Sequence, residues 1–182
     1  MKAVTPILAA AALAATGWFT VADAATATGN LQVKITITKE CQVNAGSGGT
    51  GAGDAILDFG SHGVLNSNVD GQTSTSGQGS VQVQCTNGTA YQIGLNAGTN
   101  PATPGDVTTR RMKTGTEFVS YQLYQDSART TVWGNTTGAG GNVVSKTADG
   151  TVQSAQVFGR VPPQTTPTAG VYTDTVTITV TY

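Results

Sequence analysis

Residues 29–43 read GNLQVKITITKECQV, and this stretch decides the fold class of the chain. Apolar side chains stand at Leu31, Val33, Ile35 and Ile37, and every residue between them is polar. Strict alternation of this kind predicts a β-strand with one buried face and one exposed face. The predicted strand lies before the first cysteine. Two interpretations follow: its apolar face completes the core of its own domain, or it completes the core of another molecule.

The first 24 residues are typical of a secretory signal peptide, which is removed on export. Lys2 supplies a positive charge, residues 7–15 form a short apolar run, and Ala22-Asp23-Ala24 has the small-residue spacing of a cleavage site. The alternative is a membrane anchor. An anchor needs about 18 consecutive apolar residues, and polar residues interrupt the run here.

Residues 25–182 have the length of one domain. Only 10% of the chain is charged and its net charge is −1, so the composition does not favour nucleic acid or an acidic membrane as a partner. The chain has two cysteines, Cys41 and Cys85. In an exported protein an even pair predicts one disulfide, and two free thiols are the alternative.

Further apolar and alternating runs predict an all-β domain. The residue numbers of these runs are 56–60, 80–85, 90–96, 118–126, 130–134, 151–161 and 170–182. The Asn87-Gly88 turn signal between the second and third runs predicts that they form a hairpin. Many short strands separated by turn signals are typical of a β-sandwich.

No catalytic constellation, metal site or cofactor site is predicted. Residues 46–51 match G-x-G-x-x-G, but the nucleotide-binding motif requires a helix directly afterwards, and an extended run follows here. His62 is the single histidine and has no cluster of metal ligands around it in the sequence. No G-x-S-x-G motif marks a nucleophilic serine. An enzyme is therefore not expected.

The final run alternates as strictly as the first. Val176, Ile178, Val180 and Tyr182 face one way, and threonines stand between them. An edge strand with unpaired backbone is a template for another strand, and pairing there is β-strand addition. We therefore expect the last strand to line a groove that accepts a strand.

The donor in this hypothesis is the N-terminal segment, residues 25–39, and the acceptor is the body, residues 40–182. The alternative is that residues 29–38 fold back and complete their own domain. A different class of function is a secreted monomeric binding module, for instance for carbohydrate, that uses the aromatic residues Tyr121, Tyr124 and Trp133.

The order of features resembles the spore coat protein U family, which includes subunits of archaic (Csu-type) chaperone–usher pili. The segments that carry the resemblance are TGNLQVKITITKECQV, LDFG, SVQVQC, YQLYQDSARTTVWG and QVFGRVPPQTTPTAGVYTDTVTITVTY. They are distributed from residue 28 to residue 182, and YQLYQDSARTTVWG and PTAGVYTDTVTITVTY are the most specific.

The resemblance implies an incomplete immunoglobulin-like β-sandwich that is completed by a donated strand. Gly29, Leu31, Val33, Ile35 and Ile37 would form the donor strand, with Gly29 passing close to the acceptor backbone. The implied partners are other pilin subunits, a periplasmic chaperone and an outer-membrane usher. The implied product is a cell-surface fibre that supports adhesion and biofilm formation, and a spore-coat-type structural protein is the alternative.

Overall fold

The computed structural model describes residues 25–43, 55–76 and 79–182. The predicted signal peptide and the glycine-rich motif at 46–51 lie outside these ranges. Two compact units are distinguished, Met1–Thr36 and Ile37–Tyr182. The described part of the first unit contains no strand. The described residues of the second unit contain strands and no helix, which confirms the predicted all-β class.

Eleven short strands occur in the described residues of the second unit. They are β1 (Cys41–Val43), β2 (Val69–Gln72), β3 (Val81–Cys85), β4 (Ala90–Leu95), β5 (Arg111–Thr114), β6 (Glu117–Ser120), β7 (Gln122–Tyr124), β8 (Val144–Thr147), β9 (Gln153–Ala155), β10 (Phe158–Val161) and β11 (Ile178–Thr181). No helix is present in the described ranges, so none there has the length and apolar character of a bilayer span.

The strands form small antiparallel sheets. Three of these sheets have three strands, in the orders β1-β3-β9, β2-β10-β7 and β11-β4-β8, and β5 and β6 form a hairpin. A single bridge between Lys113 and Thr173 joins β5 to the segment that leads into β11. Tyr121 N donates to Arg110 O at 3.0 Å and so extends the pairing of the hairpin by one residue.

Alternation along β3 and β4 builds the centre of the core. Val81, Val83 and Cys85 on β3 are 0–3% exposed, as are Tyr91, Ile93 and Leu95 on β4. Trp133 packs in the same cluster, and its Nε1 donates to Ile93 O at 2.8 Å. Two fully buried alternating faces share one core, as expected for a sandwich.

The predicted hairpin between residues 80–85 and 90–96 is wrong. β3 pairs with β1 and β9, whereas β4 pairs with β8 and β11. The turn, in which Thr89 N donates to Thr86 O at 3.0 Å, carries the chain from one sheet to another. The physical reason lies in the backbone hydrogen bonds beside the turn, because Thr86 N donates to Glu40 O and Gly88 N donates to Ala148 O, both at 2.9 Å, so each strand continues the ladder of a different neighbour.

The predicted disulfide is confirmed. Cys41 and Cys85 are bonded and lie directly opposite each other in the β1–β3 ladder. The bond fixes the register of β1, which is an outer strand of its sheet. It closes a loop whose ends are 44 residues apart in sequence. In the chain-entropy model, closing such a loop stabilises the fold by about 4 kcal/mol.

Several predicted strand limits change. The run 118–126 is interrupted at Tyr121, and the run 151–161 is interrupted between β9 and β10, where Val157 N donates to Thr73 Oγ1 at 2.9 Å. Residues 56–60 are not in a strand, and residues 130–134 contribute only a single bridge between Val132 and Tyr124. β2, β5 and β8 were not predicted.

Candidate functional site

The predicted donor segment has exposed apolar side chains. Leu31, Val33 and Ile35 are 82–88% exposed, and Ile37 is 68% exposed. Residues 25–40 carry no strand here, although their alternation predicts one, because a ladder requires a partner. A Cβ built on Gly29 would meet nothing within 4 Å, so no neighbouring backbone requires glycine at this position in this copy.

The predicted acceptor strand lies at the edge of its sheet. β11 pairs with β4, with Ile178 opposite Leu95 and Val180 opposite Ile93. Val176, Ile178 and Val180 are half-buried and pack on the core, while the threonines between them are exposed. Within the described residues, no strand is paired with the other edge of β11.

Tyr182 lies apart from this packed face. Its side chain is 60% exposed, and with Thr181 it lines a shallow concavity beside Gln92 and Ser145. The structure therefore brings together three of the four predicted acceptor residues.

A second edge strand lies close to the first. β1 is the outer strand of the sheet β1-β3-β9, and it contacts β11. Among the described strands, β3 is the only one paired with β1. β1 and β11 are therefore neighbouring strands that each have an unpaired edge among the described strands, and unpaired edges of this kind can accept a further strand.

The structure also has a partly covered apolar surface that sequence reasoning did not identify. Ala55, Leu57 and Phe59 alternate with exposed residues and, like Leu65, are partly buried against the core. The short run LDFG signalled an extended segment. It did not indicate that these side chains would remain only partly covered.

A pair of glycines leaves room for the side chains of this surface. Gly71 and Gly159 are directly opposite each other in the β2–β10 ladder. A Cβ on Gly159 would lie 2.8 Å from Phe59 Cζ and 2.9 Å from Leu57 Cδ1. A Cβ on Gly71 would lie 3.0 Å from Phe59 Cδ1. The absence of side chains at both positions thus lets Leu57 and Phe59 pack directly on the sheet.

Tyr121 connects this surface with the last segment of the chain. Its ring packs edge-on against Phe59 at a centroid distance of 6.3 Å, and its hydroxyl donates to Asp174 Oδ2 at 2.7 Å. Burial, and then the hydrogen bond to Asp174, raise the pKa of Tyr121. Asp174 Oδ1 also accepts hydrogen bonds from the backbone and hydroxyl of Thr99 and from Asn100. The carboxylate is therefore satisfied within the body.

Arg110 is a buried cation beneath the same region. It is 1% exposed and donates to the carbonyl oxygens of Leu95, Asn96 and Trp133 and to Gln122 Oε1. Burial lowers its pKa to about 10, so the guanidinium is charged at neutral pH. Sequence reasoning missed this residue, because nothing in a local pattern distinguishes it from the neighbouring Arg111.

The remaining sequence candidates do not form a site with reactive chemistry. His62 Nε2 lies 2.7 Å from Phe59 O on an exposed turn. In the part of the chain that the structure describes, no group of metal-ligating side chains is close enough to hold an ion. The aromatic binding surface is also wrong, because Tyr121 and Trp133 are 7% and 1% exposed. Only Tyr124 is half-exposed.

Comparison with known proteins identifies the family of the chain. Residues 27–179 match the spore coat protein U domain. The chain is 37% identical over 184 residues to Protein U of Myxococcus xanthus, with 99% of this chain and 97% of that protein covered.

A solved structure shares the fold. It is the crystal structure of the CsuC–CsuE chaperone–tip adhesion subunit pre-assembly complex from archaic chaperone–usher Csu pili of Acinetobacter baumannii. The TM-score is 0.52 at 24% sequence identity, and 81% of this chain is covered. The chain spans 40% of the length of that structural relative.

Proposed function

This chain belongs to the spore coat protein U domain family, and from this premise we propose that it is a structural subunit whose copies join head to tail by strand donation. Residues 29–37 of one copy would pair with the free edge of β11 of the next. The family match and the immunoglobulin-like pilin fold support a structural role of the pilin type.

The observation that carries the proposal is the exposure of a regular apolar face. Leu31, Val33, Ile35 and Ile37 lie on one side of an alternating segment and are 68–88% exposed. Soluble proteins rarely leave such a contiguous apolar stripe uncovered unless it takes part in an interaction. An alternating stripe fits an edge strand, since strand addition uses backbone hydrogen bonds together with every second side chain.

The energetic scale is adequate for stable assembly. Burying four aliphatic side chains contributes about 1.5–3 kcal/mol each, or about 6–12 kcal/mol before the cost of association. Nine residues in extended conformation reach about 30 Å, which is the length of a small sandwich. Hydrogen bonds along the free edges of β1 and β11 would add to this, and no nucleotide or catalytic residue is needed.

Assembly of this kind needs partners that cover the acceptor surface beforehand. The solved relative is a complex of a pilus subunit with its chaperone. For this chain we infer a periplasmic chaperone that pairs with the free edge of β11, an outer-membrane usher where the donor of the next copy replaces it, and an exported surface fibre that supports adhesion and biofilm formation.

A deletion and a peptide test the proposal. The variant that lacks residues 25–39 should not polymerise. A synthetic peptide of residues 26–40 should raise the melting temperature of this variant. A control peptide of the same composition exchanges each apolar residue from Leu31 to Ile37 with its polar neighbour, so that the stripe lies on the other face. It should raise the melting temperature far less.

Two results would refute strand donation. One is polymerisation of the deletion variant at the rate of the full chain. The other is equal stabilisation by the two peptides. In strand donation the apolar side chains must lie on the buried face, so a peptide with these side chains on the opposite face should bind more weakly. A full chain that stays monomeric and gains nothing from the peptide would instead indicate that residues 29–38 complete their own domain.

A further inference from the structure

A groove of about 350 Å³ lies on the surface of the body, and no residue of β1 or β11 lines it. It is lined by the loop before β5 and by residues of β5, β6, β7 and β10. Its volume is at the low end of the range for small-molecule sites, about 300–1,000 Å³. Neither strand donation nor the packing of the core uses it.

The alternation of side chains along the strands places polar side chains at this groove. Met112, Val119, Leu123 and Val161 pack into the core from β5, β6, β7 and β10. Because successive side chains alternate between faces, their neighbours point outward. Arg111 lies opposite Ser120, Arg160 opposite Gln122, and Tyr124 opposite Phe158.

The groove has a positive lining. The described residues that line it include Arg110, Arg111 and Arg160 and contain no aspartate or glutamate. Arg160 forms a bidentate pair with Asp70, at 2.7 and 2.8 Å, and Asp70 also pairs with Arg129 at 3.3 Å. Arg110 and Arg111 have no ion pair with a carboxylate in the described part of the chain. Because Arg110 is 1% exposed and donates to carbonyl oxygens, Arg111 is the unpaired guanidinium that an anionic group can reach.

Arg111 is held in place by neutral groups. Its Nε donates to Asn100 O at 3.1 Å, its Nη2 donates to Pro101 O at 3.2 Å, and its guanidinium stacks over Phe118 at 4.0 Å from the ring centroid. Its Nη1 donates to none of the described residues. A guanidinium fixed in this way binds a planar carboxylate with little further loss of conformational freedom.

Hydroxyl groups and an aromatic ring complete the lining. Ser120 is exposed and Tyr124 is half-exposed, and their hydroxyls form no hydrogen bond with the described residues. Rings of this kind combine an apolar face with a polar tip, which suits a ligand that has both apolar faces and hydroxyls. We propose that the groove binds a carboxylated saccharide, with the carboxylate on Arg111 and a sugar ring beside Tyr124.

The proposal can be tested with trigalacturonate and its methyl ester, which has nearly the same shape but no charge. NMR titration of the purified full chain should show binding of the acid with shifts at Ser120 and Tyr124, and at least tenfold weaker binding of the ester. Arg111→Gln should weaken binding of the acid at least tenfold. Lys146→Gln, which removes the same charge elsewhere, should change it less than twofold.

A second variant tests the site while Arg111 stays in place. Ser120→Glu places a carboxylate opposite Arg111 at an exposed position and should abolish binding while the melting temperature stays near that of the wild type. Equal binding of acid and ester, or unchanged binding by a folded Arg111→Gln or Ser120→Glu variant, would overturn the site. Displacement of the saccharide by an equal concentration of inorganic phosphate would overturn the saccharide assignment.

Discussion

Replacing Arg110 with methionine is expected to lower the free energy of unfolding by about 2–4 kcal/mol. The guanidinium is 1% exposed and donates to Leu95 O at 2.9 Å, to Asn96 O at 2.9 and 2.8 Å, and to Trp133 O at 2.8 Å. It also donates to Gln122 Oε1 at 2.7 Å. Methionine has similar length and none of these donors.

Two opposing effects set this magnitude. Gln122 Oε1 keeps a hydrogen bond from Leu123 N, so the cost comes from three backbone carbonyls that lose a donor. At about 1–3 kcal/mol each, the gross cost is about 3–9 kcal/mol. Removing the charge recovers the desolvation penalty that lowers the pKa of Arg110, which offsets part of this loss.

Urea unfolding of the purified full chain measures the difference. Arg111→Met is the matched control, because it removes the neighbouring guanidinium from the outer face, where water can replace it. It should cost about 1 kcal/mol or less. Arg110→Lys should fall between wild type and Arg110→Met, since it keeps the charge with fewer donors. An Arg110→Met variant as stable as wild type would refute the reasoning, because charge burial would then outweigh the lost hydrogen bonds.

Gly159→Ala should cost about 1–3 kcal/mol, because the new Cβ would lie 2.8 Å from Phe59 Cζ. Gly63→Ala, where nothing lies within 4 Å, is the control in thermal unfolding, and equal effects would contradict the packing argument. Asp70→Asn should cost less than about 1 kcal/mol at pH 7, because the pair with Arg160 is exposed. Arg160 lowers the pKa of Asp70 below its ordinary 3.8, so this stabilisation is present above pH 3.8 and is lost as the pH falls through the folded pKa. A difference between wild type and Asp70→Asn that persists at pH 2 would contradict the assignment.

Features that depend on local alternation could be predicted from the sequence. The inward faces of β3 and β4 and the half-buried face of β11 follow a period of two, and each is buried as predicted. The disulfide was predicted from the number of cysteines together with the predicted export signal. Such features require no knowledge of which strand lies beside which.

Features that depend on distant partners could not be predicted. The Asn87-Gly88 turn indicates where the chain reverses, but not that β3 and β4 belong to different sheets. β2, β5 and β8 contain few apolar residues, so their patterns are too weak to detect. The burial of Arg110 depends on carbonyl groups from residues up to 23 positions away. The packing of Leu57 and Phe59 on Gly71 and Gly159 depends on the pairing of β2 with β10, which local sequence does not specify.

The contrast between β3 and residues 31–37 shows what a strand requires. Both segments alternate strictly, yet Val81, Val83 and Cys85 are 0–3% exposed, and the apolar residues 31–37 are 68–88% exposed. Since the two patterns are equivalent, the difference lies in the partners, because β3 has β1 and β9 as neighbours. An alternating segment without a neighbour can form a ladder only when it meets an unpaired edge. β1 and β11 each present such an edge within the described residues, and these edges are the reason why we propose strand donation between copies.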